Sequence, residues 1–529
     1  MAFRIPETTA QRRSRPGRGS NGSAPVPHFP LASAKFPDQS SPIALAFGLA
    51  LVFLRFSMLH QVQTYLTGVN FHLLYIVGIP ALAAVLLGGG LQRSFRGRPA
   101  FYWVGFAVWL LLAVPFSYYR GGSAQLVITY IRTDFLILFV LAGLVVNWQD
   151  CQKVMYVMAL ATCVNLLTGR LFSDDYALGR MGLAFSTISN PNDFAAHLIL
   201  VLPFLLWITL SSKLFMVRTG AFLGVLYGLY LAIATGSRGA LVGIVAAVAF
   251  IFIRATAGQR LALLLLGPVA GATLFAFTPV TTKGRLSSFF TTTSGDEAAL
   301  ASTAMRQYLF RQSIRYTFSH PIFGVGPGEF PEYEGTHEKI GGTTHGDWQQ
   351  THNSYTQVSS ECGIPALLFY VVGLVSSFRL LSATHRQAKQ RRDCRDIQIT
   401  VFSIQLGMVG YCTAICFVNF AYFFYLPAMS GLAVAVWHAA QHEFSARTSL
   451  VGVKNSPDVH PAPKVAYEAP GDPPARCPST RLLGRPRQRP NPRYHRGARG
   501  ETRIARRRSL DFPAMNYYSR KRGKSGPAI

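Results

Sequence analysis

Three arginines and one histidine stand in short polar stretches between long apolar runs, and their types suit chemistry on a phosphorylated substrate. Arg180 lies in Gly179-Arg180-Met181-Gly182, followed by Ser189-Asn190-Pro191-Asn192-Asp193 at the head of an apolar run. Asn192 has an ordinary use there as a helix N-cap, but Arg180 has no such local purpose. Arg238 is flanked by glycines in Gly236-Ser237-Arg238-Gly239. Glycine admits the close approach of a bulky anion, and a guanidinium offers a planar fork to two phosphate oxygens. The other reading of Arg238 is an interfacial side chain reaching for headgroups. Taken alone, the two weigh evenly.

A helix is predicted over Ser302–Phe318, where Leu309, Phe310 and Ile314 define an apolar face at 100° per residue. Arg306 falls on that face and Arg315 opposite it, with Arg311 at the margin. An arginine on an inward stripe calls for an anionic partner. His352 lies in Thr351-His352-Asn353-Ser354-Tyr355, just before Glu361-Cys362-Gly363-Ile364-Pro365. An imidazole near neutrality can take a proton from a hydroxyl, although a lone interfacial histidine is more often structural. Asn353, Glu361 and Asn192 are expected to support the site. Glu361 has two readings, orienting the histidine or bracing the following helix, and bracing is favoured.

No metal site is expected. His337, His345 and His352 recur at a spacing that fits no common zinc set, and Asp174-Asp175 is not a spaced acidic pair. The seven cysteines include no C-x-x-C pair and fall mostly within apolar runs, as small buried hydrophobes do. Arg132 and Asp134 are two apart, too close to share a helix face, and are expected to pair with neighbouring helices.

The elements that must position these residues are membrane helices. Half of the 529 residues are hydrophobic and only 14% are charged, whereas a soluble chain carries about a quarter. Apolar segments near 42–59, 72–90, 100–118, 124–146, 153–169, 193–211, 219–235, 239–254, 261–279, 358–380, 398–418 and 420–440 give about twelve transmembrane helices, an all-α polytopic bundle. The net charge of +28 would suit nucleic-acid binding in a soluble protein. Here Lys and Arg sit in tails and short connections such as 91–99, 212–218, 255–260 and 381–397, as membrane orientation requires. Nucleic acid is therefore not expected as a partner. Both tails are expected in the cytoplasm, with the segments 170–192, 235–239 and 280–357 on the opposite side. Residues 1–40 and 441–529 are basic, rich in Ser, Arg or Pro, and expected to be disordered, with 41–440 forming the membrane domain. The basic tail suits contact with anionic membrane lipids.

The ordered blocks G-R-x-G…N-P-N-D, S-R-G-A, Arg306-x14-Pro321-x-x-Gly324-x-Gly326-Pro327-Gly328-x-Phe330 and H-N-S-Y…E-C-G-I-P resemble the O-antigen ligase superfamily. That superfamily includes lipopolysaccharide O-antigen ligases, Wzy-type O-antigen polymerases and protein O-oligosaccharyltransferases. The resemblance covers about residues 40–440 in topology. It implies a GT-C-like, cofactor-free and metal-independent inverting glycosyltransferase of the bacterial cytoplasmic membrane. Its donor would be an undecaprenyl-diphosphate-linked glycan, and its acceptor a hydroxyl of a glycan, lipid A–core or protein outside the cytoplasm. Arg180, Arg238 and Arg306, helped by Arg311, would hold the diphosphate, and His352 would be the general base. From another class, a transporter or flippase of acidic lipids would also want outward arginines. It should show internal repeats, and no clear repeat relates the two halves.

Overall fold

The computed structural model describes residues 41–454, apart from 177–179, 288–296, 339–345, 347 and 392. Gly179, His345 and most of both tails therefore lie outside the described residues. Each of the twelve apolar segments coincides with a helix, from Pro42–Ser57 to Tyr425–Lys454. Among the described residues, eight helices are long and apolar enough to cross a membrane. A ninth is reached if Pro42–Ser57 and Leu59–Thr67, bent by 67° at Met58, count as one span. The count of twelve is not met on length and apolarity, because several segments are short: Leu73–Leu87 has 15 residues and Arg238–Arg254 has 17. Chain without internal hydrogen bonds cannot face hydrocarbon, so an all-helical architecture is what a bilayer permits.

The helices pack round one apolar core, with Trp103, Tyr130, Tyr370, Tyr411 and Tyr425 among its largest buried side chains. Small residues set the closest approaches. A Cβ on Gly407 would lie 2.7 Å from the Leu200 carbonyl oxygen, and one on Gly243 would lie 2.8 Å from that of Gly410. The intramembrane charges pair across helices: Arg55 meets Asp134 at 2.7 Å, and the Arg132 guanidinium lies 5.7 Å from the Tyr75 ring centroid. The last helix continues beyond residue 440 to Lys454. Arg447 explains part of that extension, since it bonds Glu443 one turn back at 2.8 Å and Asp396 at 3.2 Å.

The long connection between Ala257–Ala276 and Ser354–Lys389 has a small core of its own, built from Leu309, Tyr316, Val325 and Phe330. It carries the helices Glu297–Ser319 and Phe330–His337. A second polar connection holds a two-stranded antiparallel hairpin, Ser173–Tyr176 with Arg180–Leu183, pairing Tyr176 with Arg180.

Candidate active site

Arg180 begins the second hairpin strand and is buried. Its Nε donates to the Thr235 carbonyl at 3.0 Å and its Nη2 to Asn192 Oδ1 at 2.9 Å. The helix that Asn192 belongs to, Pro191–Ser211, is capped by Asn190, whose Oδ1 accepts from the Asn192 amide at 2.9 Å, with Pro191 opening the helix. The capping role that was the ordinary alternative for Asn192 is taken by Asn190, and the Asn192 side chain accepts from Arg180.

Thr235 follows the helix Phe215–Ala234, and the chain then reverses at Gly236, whose φ of +63° suits glycine. Ser237 caps Arg238–Arg254 through its Oγ, which accepts from the Ala240 amide. Gly239 admits Phe417, since a Cβ there would lie 2.6 Å from the Phe417 Cβ. Arg238 donates from Nη1 to Thr303 Oγ1 at 3.0 Å. Thr303 is one turn before Arg306 on Glu297–Ser319.

The inward face of that helix differs from the expectation. Leu309, Ser313, Tyr316 and Thr317 are buried, whereas Phe310 is 44% exposed. Thr317 Oγ1 bonds Ser359 Oγ at 2.8 Å and fastens the helix to Ser354–Lys389. Arg306 borders this face and is partly buried. Its charge acts on two neighbours, Asp193 and His352. Arg315 is exposed and pairs with Glu338 at 3.0 Å. Arg311 is also exposed, and among the described residues no contact ties it to the other arginines.

His352 has a φ of +53°, a left-handed backbone that a non-glycine residue holds only under constraint. The constraints are its flanks. Thr351 Oγ1 donates to Asn419 Oδ1 at 3.2 Å, and Ser354 Oγ donates to the Val418 carbonyl at 2.7 Å while accepting from the Phe420 amide. Asn353 caps the following helix, its Oδ1 accepting from the amides of Tyr355 and Thr356. Burial, aided by the Arg306 charge, pushes the imidazole from 6.5 down to about 4, so at neutral pH it is an unprotonated acceptor.

Glu361 braces the chain through its own hydrogen bonds. Helix Ser354–Lys389 breaks at Gly363, with φ +82° and ψ 175°, two residues before Pro365. The break leaves carbonyls without helical donors, and other parts of the chain supply them. The Val325 amide donates to the Ser360 carbonyl and the Gly326 amide to that of Glu361, both at 2.9 Å, while Trp109 Nε1 donates to Cys362 at 3.0 Å. The buried Glu361 carboxylate accepts from the Gly328 amide at 3.0 Å and from the Tyr422 hydroxyl at 2.6 Å. Gly324, Gly326 and Gly328 all have positive φ, and a Cβ on Gly326 would lie 2.6 Å from Ser117 Cβ.

Arg180, Arg238, Arg306 and His352 are therefore linked through Thr235, Thr303 and shared electrostatics at one end of the bundle. Asp193, in the first turn of Pro191–Ser211, lies between two of the cations and feels both Arg306 and Arg180. Sequence reasoning passed over it because an acid in a first helical turn is routine. Its place after N-P-N, beside an arginine block, was the available signal. Among the described residues, no group of three or more His, Cys, Asp or Glu is placed to hold a metal ion.

The helices and this polar end define a polytopic α-helical membrane protein with a cationic site beside a histidine. Residues 223–371 match the family model described as O-Antigen ligase, which supports the resemblance to the O-antigen ligase superfamily. The match includes Arg238, Arg306, His352 and Glu361, while Arg180 and Asn192 lie before it. No curated protein matches the chain. The matched family associates the chain with membrane glycan ligase or polymerase activity in a bacterial membrane.

Proposed function

We propose that this protein transfers a glycan from undecaprenyl diphosphate to an acceptor hydroxyl on the outer face of the cytoplasmic membrane. The observation that carries the reading is the electrostatic coupling of Arg306 to a buried neutral histidine, with Arg238 bonded to Thr303 one turn before Arg306 and Arg180 bonded to the Thr235 carbonyl three residues before Arg238. His352 takes the proton of the acceptor hydroxyl as that oxygen forms its bond to the anomeric carbon. The bond from that carbon to the diphosphate breaks, its electron pair stays on the leaving oxygen, and displacement from the opposite face inverts the centre. Arg180, Arg238 and Arg306 stabilise the growing negative charge. Fixed donors of this kind need no reorganisation during the reaction, and losing one costs about 10²–10³ in rate. The acceptors that hold Arg180 and Arg238 in place, the Thr235 carbonyl, Asn192 Oδ1 and Thr303 Oγ1, support that role.

The test is incubation of the purified protein with undecaprenyl-diphosphate-linked oligosaccharide and separate glycan, lipid A–core and protein acceptors. Chain lengthening identifies a polymerase, and single-block transfer to lipid A–core or protein identifies a ligase. His352→Ala should abolish transfer while membrane insertion and abundance stay normal. Full activity in that variant removes His352 as the base.

A further inference from the structure

Four residues before His352, a tryptophan is held in a conformation that packing alone does not require. Trp348 has a φ of +57°, an outlier for a bulky side chain, yet its side chain remains 45% exposed. Three features fix it there. Its amide donates to Glu334 Oε2 at 2.9 Å, and Glu334 is fully buried. The other oxygen of Glu334 accepts from the Tyr308 hydroxyl at 3.1 Å, which ties the arrangement to the helix carrying Arg306. The indole lies on the backbone of Gly335, where any Cβ would run into the ring. Constraint of this kind usually marks function rather than stability, because burying the indole in a relaxed backbone would be more favourable.

Between the tryptophan and the histidine lies Gln350, whose Oε1 is buried and accepts no hydrogen bond among the described residues. The segment thus presents a half-open aromatic face, an amide acceptor and an imidazole within at most about 14 Å of chain. Pyranose rings offer an apolar C–H face for stacking and hydroxyls for an amide oxygen, so this combination suits a sugar. We infer that Trp348 and Gln350 form a glycan-binding subsite that delivers the acceptor hydroxyl to His352. The inference rests on the transfer reading for the identity of the acceptor, but not for binding itself.

Binding is therefore measured without donor, on the full chain in nanodiscs so that no sugar-headed detergent competes. The probe is the oligosaccharide mixture that mild acid releases from the host bacterium's own envelope. Wild type should show a saturable change in tryptophan emission, and Trp348→Ala should weaken calorimetric binding about tenfold or more. Trp348→Tyr keeps a stacking ring, so binding should stay within about threefold while the emission change disappears. That variant also settles the matter if Trp348→Ala fails to fold. Equal affinity in wild type and Trp348→Ala, an unaltered emission response in Trp348→Tyr, or no oligosaccharide binding by wild type overturns the inference. Loss of the transfer reading would appear instead as absent product with this donor-free binding intact.

Discussion

Arg306 and His352 are coupled electrostatically, and the arginine adds to burial in holding the imidazole unprotonated down to about 4. A base must be unprotonated to accept, and kcat/KM reports the free enzyme's titration. Transfer should therefore hold steady as pH falls through 6.5 and decline only near 4. Arg306→Gln should move that acid limb upward, although burial, the larger cause, keeps it below 6.5. The same shift affects stability with a defined sign. The folded state disfavours the imidazolium, so the contribution of His352 is complete above 6.5 and is lost as pH falls towards 4. A kcat/KM profile with its acid limb at 6.5 would show that the free enzyme titrates like an exposed histidine.

Arg306 and Arg315 occupy one helix but face different surroundings. Arg306 is partly buried beside Asp193 and His352, whereas the Arg315 side chain is 66% exposed and pairs with Glu338. Exposed pairs contribute about 0–1 kcal/mol. Arg306→Ala should lower transfer by about 10²–10³, and Arg315→Ala should change neither rate nor thermal midpoint measurably. Equal losses in a side-by-side transfer assay would mean that the helix's orientation has no bearing on the reaction.

The sequence made the helices legible because apolar runs must cover a bilayer's thickness, and charges that interrupt them stand out. It also singled out Arg180, which has no local use, Arg238 between its glycines, Arg306 on an inward stripe and His352 on the same side of the membrane. The partners of Glu361 were hidden, because Gly328 and Tyr422 lie far from it in sequence and only a broken helix brings them together. The inward face of Glu297–Ser319 was misjudged for a different reason. Ser313 and Thr317 face inward, Ser313 satisfied by the Phe310 carbonyl of its own helix and Thr317 bonded to Ser359, and Phe310 faces out. Hydropathy therefore centred the stripe too far towards Phe310. Asp193 was obscured by its ordinary position in a helix's first turn.

Glu361 provides the sharpest separation of bracing from catalysis. Its carboxylate accepts from the Gly328 amide and the Tyr422 hydroxyl in a fully buried setting. Glu361→Ala removes the one oxygen, Oε2, that accepts from both donors, and each buried donor left unsatisfied costs about 1–3 kcal/mol. The variant should fall in thermal midpoint and membrane abundance, while the activity of each folded molecule stays near that of wild type. Glu361→Gln retains one carbonyl acceptor and should lose less stability. A residue that oriented His352 would behave in the opposite way, lowering kcat at unchanged stability and shifting the acid limb of the pH profile. Thermal unfolding and transfer rate measured on the same preparations of both variants separate these outcomes, and a normal midpoint in Glu361→Ala would refute the brace.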